Sequence, residues 1–172
     1  MSDPITRTSR CQCGEVVMEL TGRPIASINC HCNICQQWSG APYLWMVLFL
    51  GERVKVVKGE DNLAITRTTD AVDRARCKSC TSHIYNSKGG QMFTIPGVYI
   101  QDIRNEDRTF ARGFAPSAEI FYGERVNDTN LGLPTYDGFP AEKEASPPPE
   151  ETSSPPEEAS PPAKLNNRFL RY

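Results

Sequence analysis

Residues 29–43 read NCHCNICQQWSGAPY and set three cysteines, Cys30, Cys32 and Cys35, in the pattern C-x-C-x-x-C. A disulfide uses two thiols and a closed tetrahedral metal site uses four ligands, so a cluster of three needs another account. The chain holds seven cysteines, and the other four fall into two tight pairs, Cys11 with Cys13 and Cys77 with Cys80. An odd count in a chain of 172 residues, 38% of them hydrophobic, does not suit a disulfide framework, which belongs to short secreted chains with small cores.

The N-terminal MSDPITRTSR lacks the apolar stretch of a secretory signal, and the longest apolar run, Tyr43 to Leu50, is too short to span a bilayer. The expectation is a soluble, cytoplasmic protein with no membrane partner. In a reducing compartment, cysteines clustered at metal-ligand spacing are read first as zinc sites.

Composition changes after Pro140, where the chain becomes AEKEASPPPEETSSPPEEASPPAKLNNRFLRY, rich in Pro, Glu and Ser and unable to bury a core. The expected organisation is a flexible N-terminus at 1–6, one folded domain over 7–140, and a disordered tail over 141–172. The terminal NNRFLRY reads as a frayed end rather than a docking motif, and no partner of the tail is named by its sequence.

Within the domain, short strands are expected at Glu15–Leu20, Pro42–Leu50, Arg53–Val57, Ala64–Thr68, Gln91–Pro96 and Ala118–Tyr122, separated by Gly, Pro, Asn and Asp turns. No long amphipathic period and no solenoid repeat appears. The fold class is therefore mostly β, with one helical turn near Cys32–Trp38.

Charge excludes one class of function. Residues 1–140 carry fifteen acidic and fifteen basic side chains, and the tail six against four, giving a net −2. Two zinc ions on seven thiolates would move the total to about −5. A chain without a basic footprint is not expected to bind nucleic acid.

Dividing seven cysteines between zinc sites has one arithmetic solution. Cys11 and Cys13 join Cys77 and Cys80 as a closed four-thiolate site, which is structural, and Cys30, Cys32 and Cys35 are left as three ligands with one open position. The alternative fills the fourth position with His31, His83 or an acidic residue and makes both sites structural. In an extended segment the His31 side chain points away from the face that Cys30 and Cys32 share. His83, three residues after Cys80, has ligand spacing but is read as a core or surface histidine.

One Zn²⁺ with three thiolates carries a formal charge of −1 and is a weaker Lewis acid toward a carbonyl or water than a site of neutral histidines. Soft thiolate ligation favours a further sulfur ligand, and metal binding deprotonates that thiol at neutral pH. The residues point to a small thiol substrate.

The motifs CQCG at 11–14, CHCNIC at 30–35, SGAPY at 39–43 and CKSC at 77–80 resemble, in order and spacing, the glutathione-dependent formaldehyde-activating enzyme and centromere protein V family, over about residues 7–139. The resemblance implies coiled antiparallel sheets organised around two zinc ions. It implies a structural zinc on Cys11, Cys13, Cys77 and Cys80 and a catalytic zinc on Cys30, Cys32 and Cys35. The implied activity is that of a carbon–sulfur lyase, an S-(hydroxymethyl)glutathione synthase that adds glutathione to formaldehyde.

Two departures from the family pattern stand out. Family members often carry Phe-Cys at the last pair and a glycine after it, where this chain has Arg76-Cys77 and Cys80-Thr81-Ser82, which changes the backbone freedom of that turn. A position after the triplet that is often basic is Gln36 here.

Trp38, Tyr43 and Trp45 are read as core rather than pocket, and Gly40 either as a turn residue or as a point of close backbone approach. Arg74, Arg76 and Lys78 are read as a solvated face, so no substrate contact is assigned. Two function classes remain. One is a zinc enzyme acting on a small thiol, and the other is a non-catalytic zinc-stabilised interaction module. The open coordination position favours the enzyme.

Overall fold

The computed structural model describes residues 5–139, and the readings made for residues 1–4 and 140–172, NNRFLRY included, lie outside them. The order of elements is β1 (Thr6–Arg10), β2 (Val17–Thr21), β3 (Ala26–Cys30), α1 (Asn33–Ser39), β4 (Leu44–Leu50) and β5 (Val54–Lys58). It continues with β6 (Leu63–Thr69), β7 (Val72–Cys77), β8 (His83–Lys88), β9 (Met92–Pro96), β10 (Glu119–Ile120) and β11 (Thr135–Tyr136). The class is mostly β, as the short alternating segments require.

Two open sheets form, a three-stranded one ordered β1-β2-β5 and an eight-stranded one ordered β11-β10-β3-β4-β9-β8-β7-β6. Most pairs are antiparallel, and β10 lies parallel to both β3 and β11. The strand expected at Glu15–Leu20 begins at Val17, because Cys11 and Val16 close a turn with the Cys11 N–H donating to the Val16 carbonyl. The strand expected over Ala118–Tyr122 stops after Ile120, because Phe121 takes a left-handed backbone (φ 54°) that a ladder cannot accept.

Alternation along the strands sorts side chains between two faces of the large sheet. On one face Val47 and Phe49 of β4 and Ile95 of β9 are fully buried with Met18 and Leu20 of the small sheet, forming the main core. Each such side chain stabilises the fold by about 1.5–3 kcal/mol relative to exposure. On the other face a row runs directly across four strands by register: Leu48 opposite Thr94, Thr94 opposite Asn86, and Asn86 opposite Arg74. A second, smaller cluster of Ile28, Cys30, Cys35, Met46 and Ile120 lies beside that row. This second face carries the site described next.

Candidate metal centres and the adjoining cavity

The two cysteine pairs meet through turns of different sheets. Cys11 and Cys13 sit in the β1–β2 turn, while Cys77 ends β7 and Cys80 closes the turn into β8. Cys11 Sγ is 3.4 Å from Cys13 Sγ, and Cys13 Sγ is 3.7 Å from Cys77 Sγ. A tetrahedral four-thiolate zinc site with bonds of ~2.3 Å places its sulfurs about 3.8 Å apart, so this donor set fits the ion. Val16 N–H and the Asn62 side-chain amide donate to Cys11 Sγ and Cys77 Sγ, respectively, as partners of thiolates should. The Ser82 hydroxyl pulls the Cys80 thiol down to about 5.

The turn after Cys77 is tight, with the Thr81 N–H donating to the Cys77 carbonyl at 2.9 Å. Thr81 occupies φ 60°, a left-handed conformation that glycine adopts freely and a β-branched residue adopts at a cost. The missing glycine noted in the sequence is thus a strained threonine in the structure.

Cys30, Cys32 and Cys35 come together where β3 passes into α1, their sulfurs all within 4.8 Å of one another. Cys32 caps the helix, its sulfur accepting from the Cys35 N–H at 3.3 Å, and Gly40 ends the helix in the left-handed region at φ 67°. Nothing lies within 4 Å of the Gly40 Cβ position, so this glycine is a cap and not a point of close approach. The three thiols share protons unequally. Cys32 is drawn down to about 2, first by the Cys30 thiol and then by that of Cys35, and the contact with Cys32 pushes Cys30 strongly upward. Two buried thiols and a half-buried one, this close together, ionise as a set only around a cation, so this set too fits a thiophilic metal ion.

The triplet opens on a cavity of about 360 Å³. One stretch of its wall is apolar, with Ile28, Met46, Leu48, Ile120 and Phe121, and the adjoining stretch, on β7 and β8, carries Arg74, Asn86, Ser87 and Lys88. Arg74 was expected on a solvated face. It is instead only 5% exposed, because β7 is covered on both sides: Ala75 and Cys77 pack into the main core while Arg74 faces the cavity. Its Nη1 donates to Thr68 Oγ1, and its Nη2 lies 3.9 Å from Cys35 Sγ. Lys78 is exposed as expected, and Arg76 is half-buried, stacked over the Trp38 ring at 4.3 Å.

His31 is fully buried on the side of the strand away from the triplet. The parallel ladder carries past Cys30, with the His31 N–H donating to the Ile120 carbonyl at 3.0 Å. Its ring packs between Tyr43 and Tyr122, and Nε2 faces Glu119 Oε1 at 3.3 Å. Glu119 in turn accepts from Thr129 Oγ1 at 2.7 Å. His83 is buried as well, bonded through Nε2 to Asn86 Oδ1 at 2.8 Å, and is not in either cysteine cluster.

Trp38, Tyr43 and Trp45 do not line the triplet cavity. Trp45 packs against the main core and donates through Nε1 to Ser27 Oγ at 2.8 Å, and Trp38 lines a second cavity with Arg76 and His83. Gln36 bonds the carbonyls of His31 and Glu124, so its amide organises the backbone around the triplet. Sequence reading missed Arg74, Asn86 and Glu119. For Arg74 the available signal was the V-D-R-A-R-C alternation ending in a cluster cysteine, which marks a strand running into the site.

A family model described as glutathione-dependent formaldehyde-activating enzyme matches residues 6–124. A Podospora anserina protein named "Putative glutathione-dependent formaldehyde-activating enzyme" is 28% identical over 146 residues, covering 76% of this chain and 67% of that one. A crystal structure of a Rhodobacter sphaeroides protein matches with a TM-score of 0.49 at 15% identity, over 58% of this chain and 93% of that one.

Proposed function

The chain belongs to the glutathione-dependent formaldehyde-activating enzyme family, and from that premise we propose that it is a zinc-dependent carbon–sulfur lyase-type enzyme. The reaction is addition of the glutathione thiol to formaldehyde, giving S-(hydroxymethyl)glutathione. Cys30, Cys32 and Cys35 are the ligands of the catalytic zinc, and Cys11, Cys13, Cys77 and Cys80 those of a structural zinc. The functional unit is the domain over 7–140.

The observation that carries this reading is the contrast between the clusters: one supplies four sulfurs, the other three sulfurs on the floor of a cavity. Zinc bound by three thiolates supplies one further coordination position and lowers the proton affinity of a thiol placed there. The chain's own residues do the rest. Soft sulfur donors select a sulfur ligand. The Arg74 guanidinium offsets the negative charge gathered at Cys35. Lys88, exposed at the end of β8, offers a peptide carboxylate a cation, while Asn86 is bonded to His83, Met46 and Thr94 and fixes the shape of that wall. Holding thiol and aldehyde in one cavity replaces a bimolecular encounter by an oriented approach.

The test is the rate of adduct formation corrected for the reaction in buffer, with wild type and Cys32→Ser compared. The rate above background is expected to vanish in Cys32→Ser. A variant that keeps the full wild-type rate would remove the triplet from the reaction.

A further inference from the structure

The two walls of the triplet cavity differ in chemistry, and glutathione with formaldehyde accounts for only one of them. The stretch on β7 and β8 carries the cations Arg74 and Lys88, which suit the carboxylates of a peptide thiol. Formaldehyde is close in size to a water molecule, on the order of 30 Å³, and it buries almost no apolar surface. The aliphatic and aromatic side chains beside the triplet, Ile28, Leu48, Met92, Ile120 and Phe121, find no apolar counterpart of their extent in formaldehyde or in the polar, charged-ended glutathione peptide.

The apolar wall is built by elements that converge from distant parts of the chain. Ile28 and Cys30 alternate along β3, so a thiolate ligand and an aliphatic side chain share one face two residues apart. Met46 and Leu48 continue that face on β4, and Met46 stands opposite Ile28 by register. Ile120 of β10 and Phe121 just beyond it complete the face, and Phe121 reaches the cavity from a left-handed backbone that is costly for an aromatic residue. Phe121 is steadied by an edge-to-face contact with Phe139, their centroids 5.4 Å apart. Met46 and Met92 are unbranched and repack around ligands of different shape.

We propose that the electrophile taken by this cavity is an aldehyde bearing an apolar chain of several carbons, lodged against Ile28, Leu48, Met92, Ile120 and Phe121 with its carbonyl carbon toward the cysteine triplet. The inference rests on the reading of that triplet as the site of thiol activation. In the addition, one S–C bond forms as the thiol S–H bond breaks, the carbonyl π pair passes to oxygen, and that oxygen takes the proton. The product is a thiohemiacetal, and no oxidant or reductant is needed.

S-methylglutathione and S-hexylglutathione mimic the adducts of a one-carbon and a six-carbon aldehyde without offering a thiol. Their binding to the zinc-loaded protein is measured by titration calorimetry, beside background-corrected turnover of formaldehyde and hexanal with glutathione. Each buried methylene strengthens binding about fourfold at best, and the hexyl compound is expected to bind at least tenfold tighter. Leu48→Gln and Met92→Gln, on different strands, should each cut that advantage at least threefold while leaving the methyl compound unaffected. Hexanal should exceed formaldehyde in kcat/KM. Equal affinity of the two compounds in the wild type, or turnover confined to formaldehyde, overturns the proposal whether or not the variants fold. A hexyl preference that persists while Cys32→Ser keeps full turnover overturns the thiol-activation reading instead and leaves the apolar subsite in place.

Discussion

Arg74 Nη2 lies 3.9 Å from Cys35 Sγ on the cavity face of the large sheet, and the arginine is almost wholly buried there. A guanidinium in such a place needs negative charge beside it, and a cluster of thiolates provides it. Replacing the cation by an apolar side chain of similar length, Arg74→Met, is expected to weaken zinc binding at the triplet by about ten- to a hundredfold. Arg74→Lys keeps the charge but not the fork and should recover part of the loss. Competition with a chelator measures both, and unchanged affinity in Arg74→Met would show that the guanidinium only fills space.

Thr81 holds its left-handed backbone through the bond from its N–H to the Cys77 carbonyl and the one its carbonyl accepts from Arg76 Nη1, both 2.9 Å. Glycine keeps both of these backbone bonds and loses the steric cost. Thr81→Gly is therefore expected to stabilise the protein by about 1 kcal/mol, read as a rise in the thermal midpoint. A lower midpoint would mean that the hydroxyl contact with the Cys80 carbonyl outweighs the strain.

Burial holds the His83 pKa at about 4, against an ordinary 6.5, although its bond to Asn86 works the other way. Below pH 6.5 the unfolded chain binds a proton here that the folded protein refuses until about pH 4. The stability from a neutral His83 is therefore complete above pH 6.5 and declines as pH falls toward 4, by roughly 3 kcal/mol in total. Denaturant unfolding across that window should show a shallower fall for His83→Gln than for the wild type. Identical slopes would assign the acid sensitivity to other groups.

The four-cysteine cluster ties the turn of the small sheet to a turn of the large one, so a metal held there would brace the fold. Cys77→Ser should lose one zinc per chain and several kcal/mol of stability. An unchanged midpoint and zinc content would remove the structural role.

The cysteine clusters were legible because their members come in short-spaced pairs and a triplet, and one division of seven cysteines gives four plus three, as the folded chain groups them. Strands with clear alternation were legible to within a few residues. β8, HIYNSK, is buried over five consecutive positions, so it shows no polar face that alternation can reveal. The parallel contact of β10 with β3 spans about 90 residues of chain and has no local signature. Arg74 was misread for the same reason: a cluster of basic residues looks solvated until register places Asn86, Thr94 and Leu48 beside it. Glu119, 88 residues from its partner His31, could be found only in the folded chain.

The central claim is that the three-cysteine site accepts a substrate sulfur, and X-ray absorption at the zinc edge reads this directly. With both sites filled, the mean is expected to be about 3.5 sulfur ligands per zinc, rising to about 4 with glutathione and staying at about 3.5 with S-methylglutathione. A mean of sulfur ligands that glutathione leaves unchanged would contradict the account.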